Sequence, residues 1–309
     1  MALLGASTHP GTSQPLGFLV LDKPAGLSSH GCVSRVRRAY GLKRVGHGGT
    51  LDPAVTGVLP IALGPATRLL PYLDGAKAYE GVIQLGLRTS TDDLEGELLE
   101  QRPWPPLDQA ALEQALETFR GPIQQRPPQV SAVHVEGQRA YARVRQGEQL
   151  ELAPRGVEIH QLTLLAWDAS SGRLHLAVRC SAGTYIRSLA RDLGALLGCG
   201  GALASLRRTE ALGFDLQGAV ALEHLQTQPP PPLRDPLEAL AHLPQIRLSS
   251  EQLVGWRCGR AFAAEPALAL SLPLDQAVVV RGPDGILAGM ARAVADGLLQ
   301  PKLVLDAAG

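Results

Sequence analysis

Apolar residues along this chain fall into short runs broken by glycine, proline and acidic clusters, and the runs change period between that of a strand and that of a helix. Residues 17–22 (GFLVLD) make one continuous apolar run, long enough for a buried strand, and Lys23-Pro24-Ala25-Gly26 turns it toward a helix. Ser28 or Ser29 caps that helix, Val33, Val36 and Tyr40 form its apolar stripe, and Gly41 ends it. A second apolar run, 57–63, is again strand-sized. The pattern then predicts a short helix over 66–73, a partly alternating strand over 77–87, and a helix over 109–119 capped by Asp108, with Leu112, Ala115, Leu116 and Phe119 on one face. Residues 157–167 and 173–180 alternate as an antiparallel pair joined by Ser170-Ser171-Gly172. Thr184 is placed to cap a helix whose stripe is Ile186, Leu189, Ala190, Leu193 and Leu197, and a strand follows over 204–209.

Beyond a four-proline spacer at 229–232 and a short helix at 236–243, the pattern becomes short apolar runs (ALALSL, AVVVRG, GILAGMARAV, KLVLD) that suggest a small β domain. The expected organisation is a disordered leader over 1–15, a main domain over 16–243 and a second domain over 246–309. At 309 residues, 45% apolar but only 4% aromatic, the core has to be built from Leu, Val, Ile and Ala. The four cysteines form no Cys-x-x-Cys pair and have no nearby histidine at ligand spacing, so neither zinc nor a disulfide framework is expected. Nothing reaches the roughly 18 apolar residues of a membrane span, and a cytoplasmic location is expected.

Charge changes the picture only through its distribution, since 29 basic residues balance 29 acidic ones. Residues 21–70 carry Lys23, Arg35, Arg37, Arg38, Lys43, Arg44 and Arg68 against Asp22 and Asp52, whereas Asp92, Asp93, Glu95, Glu97 and Glu100 form an acidic run. Arg35 and Arg38 on one helix face suit a wall for phosphates or an ordinary solvated face. The acidic run is expected to be solvated and turned away from any phosphate backbone.

The candidate chemistry lies in Gly46-His47-Gly48-Gly49-Thr50-Leu51-Asp52-Pro53-Ala54-Val55-Thr56-Gly57. Glycines let this loop approach another molecule closely, and Pro53 keeps Asp52 out of the helical region, so one carboxylate is displayed on a stiff loop. Asp-Pro among glycines is also a common turn signal. The whole string is more specific. It closely resembles the signature G-H-x-G-[TA]-L-D-P-x-[AV]-[TS]-G of the TruB family, tRNA pseudouridine synthases that isomerise the T-loop uridine 55. Further matching motifs are Leu21-Asp22-Lys23-Pro24-Ala25-Gly26-Leu27-Ser28-Ser29, Lys77-Ala78-Tyr79, Arg139-Ala140-Tyr141-Ala142-Arg143, Gly183-Thr184-Tyr185-Ile186-Arg187-Ser188-Leu189 and Ser205-Leu206-Arg207-Arg208.

The resemblance implies an α+β fold, a mixed and largely antiparallel sheet flanked by helices, with a small C-terminal PUA-like β-barrel and an RNA-gripping insertion over about 124–152. It implies Asp52 as the catalytic residue, Tyr79 stacked on the target uracil, Arg187 paired with the Asp52 carboxylate, and Tyr185 and Leu206 lining the pocket. Val130 and His134 depart from the aromatic residue and lysine that many bacterial members carry in the insertion. His47 either fills the space left by the extruded base or makes a loop hydrogen bond. Arg35, Arg38, Arg143 and Arg208 are the expected contacts to the RNA backbone.

The chemistry fits one carboxylate. A glycoside hydrolase ordinarily needs two across the bond, whereas in an isomerisation the base is retained and no water attacks. Asp52 either attacks C1′ or removes a sugar proton, and Arg187 keeps it ionised and aimed. The uridine must leave its stack to react, which calls for apolar and aromatic walls. No metal or organic cofactor is implied, and the expected partner is the T arm of tRNA, bound by a monomer with no obligate protein partner and no membrane. The rivals are a non-catalytic tRNA-binding module, disfavoured by the presence of Asp52, a metal-free nucleosidase, disfavoured by the lack of a second placed carboxylate, and a guide-RNA-dependent relative, disfavoured by the absence of long basic extensions.

Overall fold

The computed structural model describes residues 15–131, 133–135, 138–139, 143, 148, 150, 152–264 and 271–305. The expected leader, the helix-like piece of the insertion and most of the ALALSL run lie outside the described residues. The chain forms two compact units: Met1–Asp52, Leu59–Asp74 and Leu212–Gly309 in one, Pro53–Val58 and Gly75–Ala211 in the other.

In the first unit β1 (Gly17–Lys23) is flanked by β14 (Val220–Ala221), which runs parallel to it, and by β3 (Thr56–Leu63), while β2 (Val45–His47) pairs antiparallel with β3. Phe18, Leu19, Val20 and Leu21 are all buried, as a strand covered on both faces requires. Helix α1 (Ser29–Tyr40) begins where expected: Ser28 Oγ accepts from Gly31 N at 3.0 Å, and Gly41 ends the helix at φ 63°. The helix expected over 66–73 is instead two 3₁₀ turns, Gly64–Arg68 and Leu70–Tyr72. Each has a proline as its second residue, and Pro71, which lacks an N–H and crowds the preceding turn, stops the first from continuing into the second.

The same unit holds the C-terminal strands, a five-stranded sheet in the order β15 (Gln245–Arg247), β17 (Ala277–Arg281), β18 (Leu287–Ala293), β19 (Leu298–Val304) and β16 (Phe262–Ala263). Leu248, Trp256, Val278, Val280, Ala291 and Leu299 give it a core of its own.

The second unit is the antiparallel sheet β12–β4–β11–β10–β7, formed by Gly201–Ala211, Lys77–Leu85, Arg173–Cys180, Arg155–Asp168 and Gly121–Gln125; the other short strands among the described residues are β5 (Leu87–Thr89), β6 (Leu98–Gln101), β8 (His134–Val135), β9 (Gln138–Arg139) and β13 (Phe214–Asp215). The first residues of β3 add to it parallel with β12, Thr56 and Gly57 opposite Arg207 and Arg208. One face carries Tyr79, Ile83, Leu174, Leu176 and Val178, all buried, and is covered in part by a helix over Ile186–Leu196. That helix packs in turn on a second one, Gln109–Glu117, capped by Asp108 as expected. The alternation of β4 and β11 follows from this one-sided burial. The mixed sheet with few helices is the α+β architecture expected. Thr184 is not the cap of the Ile186–Leu196 helix: Tyr185 holds that position without a side-chain cap bond, and the Thr184 hydroxyl donates to Ser181 O at 3.0 Å.

Candidate active site

In the first unit the loop after β2 is held at several points before it reaches Asp52. Gly48 N donates to Pro60 O at 2.8 Å, and Gly49 N donates to His47 Nδ1 at 3.3 Å, so the loop hydrogen bond expected as one role of His47 is present. Ser29 fixes the residue before the carboxylate from both sides: its Oγ accepts from Leu51 N at 2.8 Å and donates to Leu51 O at 3.1 Å. Both partners are buried, Ser29 at 2% and Leu51 at 4% exposure, so solvent does not compete for these bonds. Asp52 comes next, half-buried, and Pro53 and Ala54 are exposed. The carboxylate is therefore carried on a backbone anchored by the first turn of α1. In the sequence Ser29 reads as an alternative helix cap, and the tandem Ser28-Ser29 is the one local hint of this second task.

In the second unit β4 and β12 place Tyr79 opposite Arg208 and Gly81 opposite Leu206. Residues opposite one another in antiparallel strands share a face, and so do residues two apart, which puts Tyr79, Leu206 and Arg208 on one face. Leu206 occupies the space over Gly81, where an added Cβ would meet Leu206 Cδ1 at 2.9 Å. Tyr79 is 6% exposed. Arg208 is corrected here: expected to face phosphate, it is wholly buried, its Nε donates to Val58 O at 2.7 Å, and it shares a side-chain hydrogen bond with Tyr79. Its position two residues after Leu206, on the inward face of a half-covered strand, is what removes it from the surface.

At the start of the Ile186–Leu196 helix, the Gln125 side chain brackets the backbone of Tyr185, accepting from its N at 2.8 Å and donating to its O at 3.0 Å. Arg187 is buried, donating to Thr91 O at 3.0 Å and Val130 O at 2.9 Å, with Asp93 at 3.7 Å. Arg191, one turn on, pairs with Asp92 at 2.9 Å and donates to Arg126 O at 2.8 Å. Thus Asp92 and Asp93 are not part of a free acidic face as expected; they are half-buried counterions for two arginines of one helix. Burial pushes the Asp92 carboxyl above its ordinary value, and Arg191 pulls it back.

Of the remaining expected residues, Arg35 and Arg38 lie exposed on α1, and Arg143 is paired with Glu148 at 2.7 Å. Among the described residues, no group of three or more His, Cys, Asp or Glu is arranged to hold a metal ion, and no helix is long and apolar enough to cross a membrane.

Comparison with known proteins decides what this arrangement belongs to. The model of the TruB family pseudouridylate synthase N-terminal domain matches residues 37–186, and that of the tRNA pseudouridylate synthase B C-terminal domain matches 187–229. A protein named tRNA pseudouridine synthase B from Parasynechococcus marenigrum (strain WH8102) is 65% identical over 96% of this chain and 99% of its own length. This chain belongs to the TruB family. A second member, of the same name, from Synechococcus sp. (strain WH7803), is 58% identical over 96% of this chain and 99% of its own length. Among solved structures, a Cbf5-Nop10-Gar1 complex contains a chain with a TM-score of 0.66 at 24% identity, covering 91% of this chain and 79% of that one. An H/ACA RNP bound to a substrate RNA containing 2′-deoxyuridine contains one with a TM-score of 0.67 at 21% identity, covering 93% and 84%. At these identities the two structures show that the TruB chain shares their fold, and no more.

Proposed function

We propose that this TruB family member is a tRNA pseudouridine synthase that isomerises uridine 55 in the T loop. The observation that carries the reading is the Asp52 loop: one carboxylate, after a leucine whose peptide groups Ser29 holds on both sides, inside the family signature. Breaking the N1 to C1′ bond and rejoining C5 to C1′ asks for one aimed carboxylate and a base that stays bound, not for the two carboxylates of a hydrolase.

In this reading Asp52 is the catalytic residue and Arg187 keeps it ionised. Tyr79 stacks on the flipped uracil and Tyr185 and Leu206 wall it, replacing the stacking lost from the T loop. His47, already bonded to its own loop, takes the space the base vacates. Arg35, Arg38 and Arg143 meet the RNA backbone. The five-stranded sheet at the C-terminus acts as a PUA-like RNA-binding module, the boundary falls near 243–247, and a cytoplasmic monomer works without a cofactor. The non-catalytic alternative is disfavoured by the intact Asp52 loop. The test is to incubate the protein with an unmodified T-arm hairpin and map pseudouridine by carbodiimide adduction and primer extension. A stop at the T-loop uridine is expected; unmodified RNA after prolonged incubation with protein that binds it would overturn the assignment.

A further inference from the structure

We infer that Arg208 is a positioning residue for the reaction, holding the phenol of Tyr79 and tying it to the root of the Asp52 loop. The inference rests on the isomerase reading above. A guanidinium taken wholly out of water is costly, and an aliphatic side chain would fill the same space without that cost, so its presence asks for a task that charge and donors perform. The contacts of Arg208 describe one. Its Nε reaches Val58 O on β3 at 2.7 Å, and its side chain bonds Tyr79 directly across on β4. Its backbone is just as constrained: Gly57 stands opposite it on β3 at φ 101°, where an added Cβ would collide with Arg208 O. β3 is drawn against β12 at this residue, five positions after Asp52. A single side chain therefore fixes three strands, one leading out of the Asp52 loop and one carrying the tyrosine.

The electrostatics point the same way. On the strands around Tyr79 the titratable groups of its face are Lys77 on β4, Arg208 on β12 and Cys180 on β11, and the helix that covers this face in part carries Arg187, bonded to Thr91 O and Val130 O, and Arg191, paired with Asp92 and Asp192. Burial and the neighbouring Arg208 pull the Lys77 ammonium below its ordinary value, and burial pushes the Cys180 thiol up, leaving it neutral. The phenol thus lies beside a buried guanidinium that burial pulls below its ordinary value and that the charge and hydrogen bond of Tyr79 draw back up. Once the C5 to C1′ bond has formed, C5 still carries its proton. The tyrosinate oxygen takes that proton, the C5–H electron pair closes the C5=C6 double bond as the C6=N1 pair moves onto N1, N1 takes a proton from water, and the phenol later returns its own to solvent.

The experiment uses the full chain with Arg208→Met and Arg208→Lys, each in the parent and in a Tyr79→Phe background. Tyrosinate absorbance is titrated without RNA, with the Tyr79 contribution taken as the difference from Tyr79→Phe. Single-turnover tritium release from 5-tritiated uridine in the hairpin and filter-binding affinity complete the set. Arg208→Met is expected to raise the Tyr79 midpoint by about one pH unit or more. It should lower the single-turnover rate about tenfold or more with affinity kept within about twofold, the mark of an interaction used only in the transition state. Arg208→Lys should restore part of both. In the Tyr79→Phe background, Arg208→Met should add less than about twofold, because two residues acting through one contact are not additive. An unmoved Tyr79 titration, or the same loss in both backgrounds, overturns the inference. If Arg208→Met does not fold, Arg208→Lys decides by the same two criteria. A parent protein that makes no pseudouridine refutes the reaction assignment, and the titration still reports on the pairing of Arg208 with Tyr79.

Discussion

Asparagine at position 52 would keep the side chain's size and most of its hydrogen bonding while removing its charge, so it isolates what the chemistry needs. Asp52→Asn is expected to show no detectable turnover in the primer-extension assay, with RNA affinity within about tenfold of the parent, or roughly 1.4 kcal/mol. Substantial residual activity would remove Asp52 from its role. Tyr79 separates differently, because stacking needs the ring and proton transfer needs the phenol. Tyr79→Leu is expected to abolish turnover through loss of stacking worth about 1–3 kcal/mol. Tyr79→Phe should bind RNA normally and turn over far more slowly in single-turnover assays. If both match the parent, Tyr79 is only a buried strand residue. At this scale the sequence made motif residues legible and their surroundings not. Asp52, Tyr79 and Arg187 stand in short strings that can be picked out along the chain, whereas the burial of Arg208 and the pairing of Asp92 with Arg191 depend on contacts between residues far apart in the chain. An arginine in a strand looks like a surface cation until its register is known, since a one-residue slip would place it on the other face.

Elements carry the precision that single residues exploit, and here α1 supplies more than a basic wall. Its first residue, Ser29, makes both hydrogen bonds to Leu51, so Ser29→Ala leaves a buried N–H and C=O without that partner. The expected cost is about 1–3 kcal/mol in urea unfolding, with a fall in kcat larger than any rise in KM, because the carboxylate loses its aim rather than the RNA its contacts. Unchanged kinetics with lowered stability would make Ser29 a purely structural anchor. The strand and helix periods of β1, α1, β3, β10 and β11 were legible because each buries one face or both against a partner. The failures have local causes. Pro71 turned one expected helix into a pair of 3₁₀ turns, and the Thr184 hydroxyl bonds Ser181 O instead of capping a helix N–H.

For the molecule as a whole, a net charge of zero makes RNA binding depend on where the charges stand. Arg35 and Arg38 are exposed on one helix, while Arg208, Arg187 and Arg191 are committed inside the protein. Log affinity for the hairpin is therefore expected to fall linearly with log salt, and Arg35→Ala and Arg38→Ala to flatten the slope by about one each, while Arg208→Lys leaves it unchanged. A flat salt response would exclude this surface. The C-terminal sheet invites the last test, because it has a packed core of its own built around Leu248, Trp256, Val278, Val280 and Leu299. The described hydrogen bond from it to the 59–74 segment is Arg68 Nη1 to Val304 O at 3.4 Å, long and exposed, and losing it costs little. Deleting residues 246–309 should leave a cooperatively melting protein that binds full-length tRNA more weakly yet reaches the parent single-turnover rate at saturating hairpin. A truncated protein that melts cooperatively but turns over nothing at saturation would show that the sheet shapes the Asp52 loop as well as holding RNA.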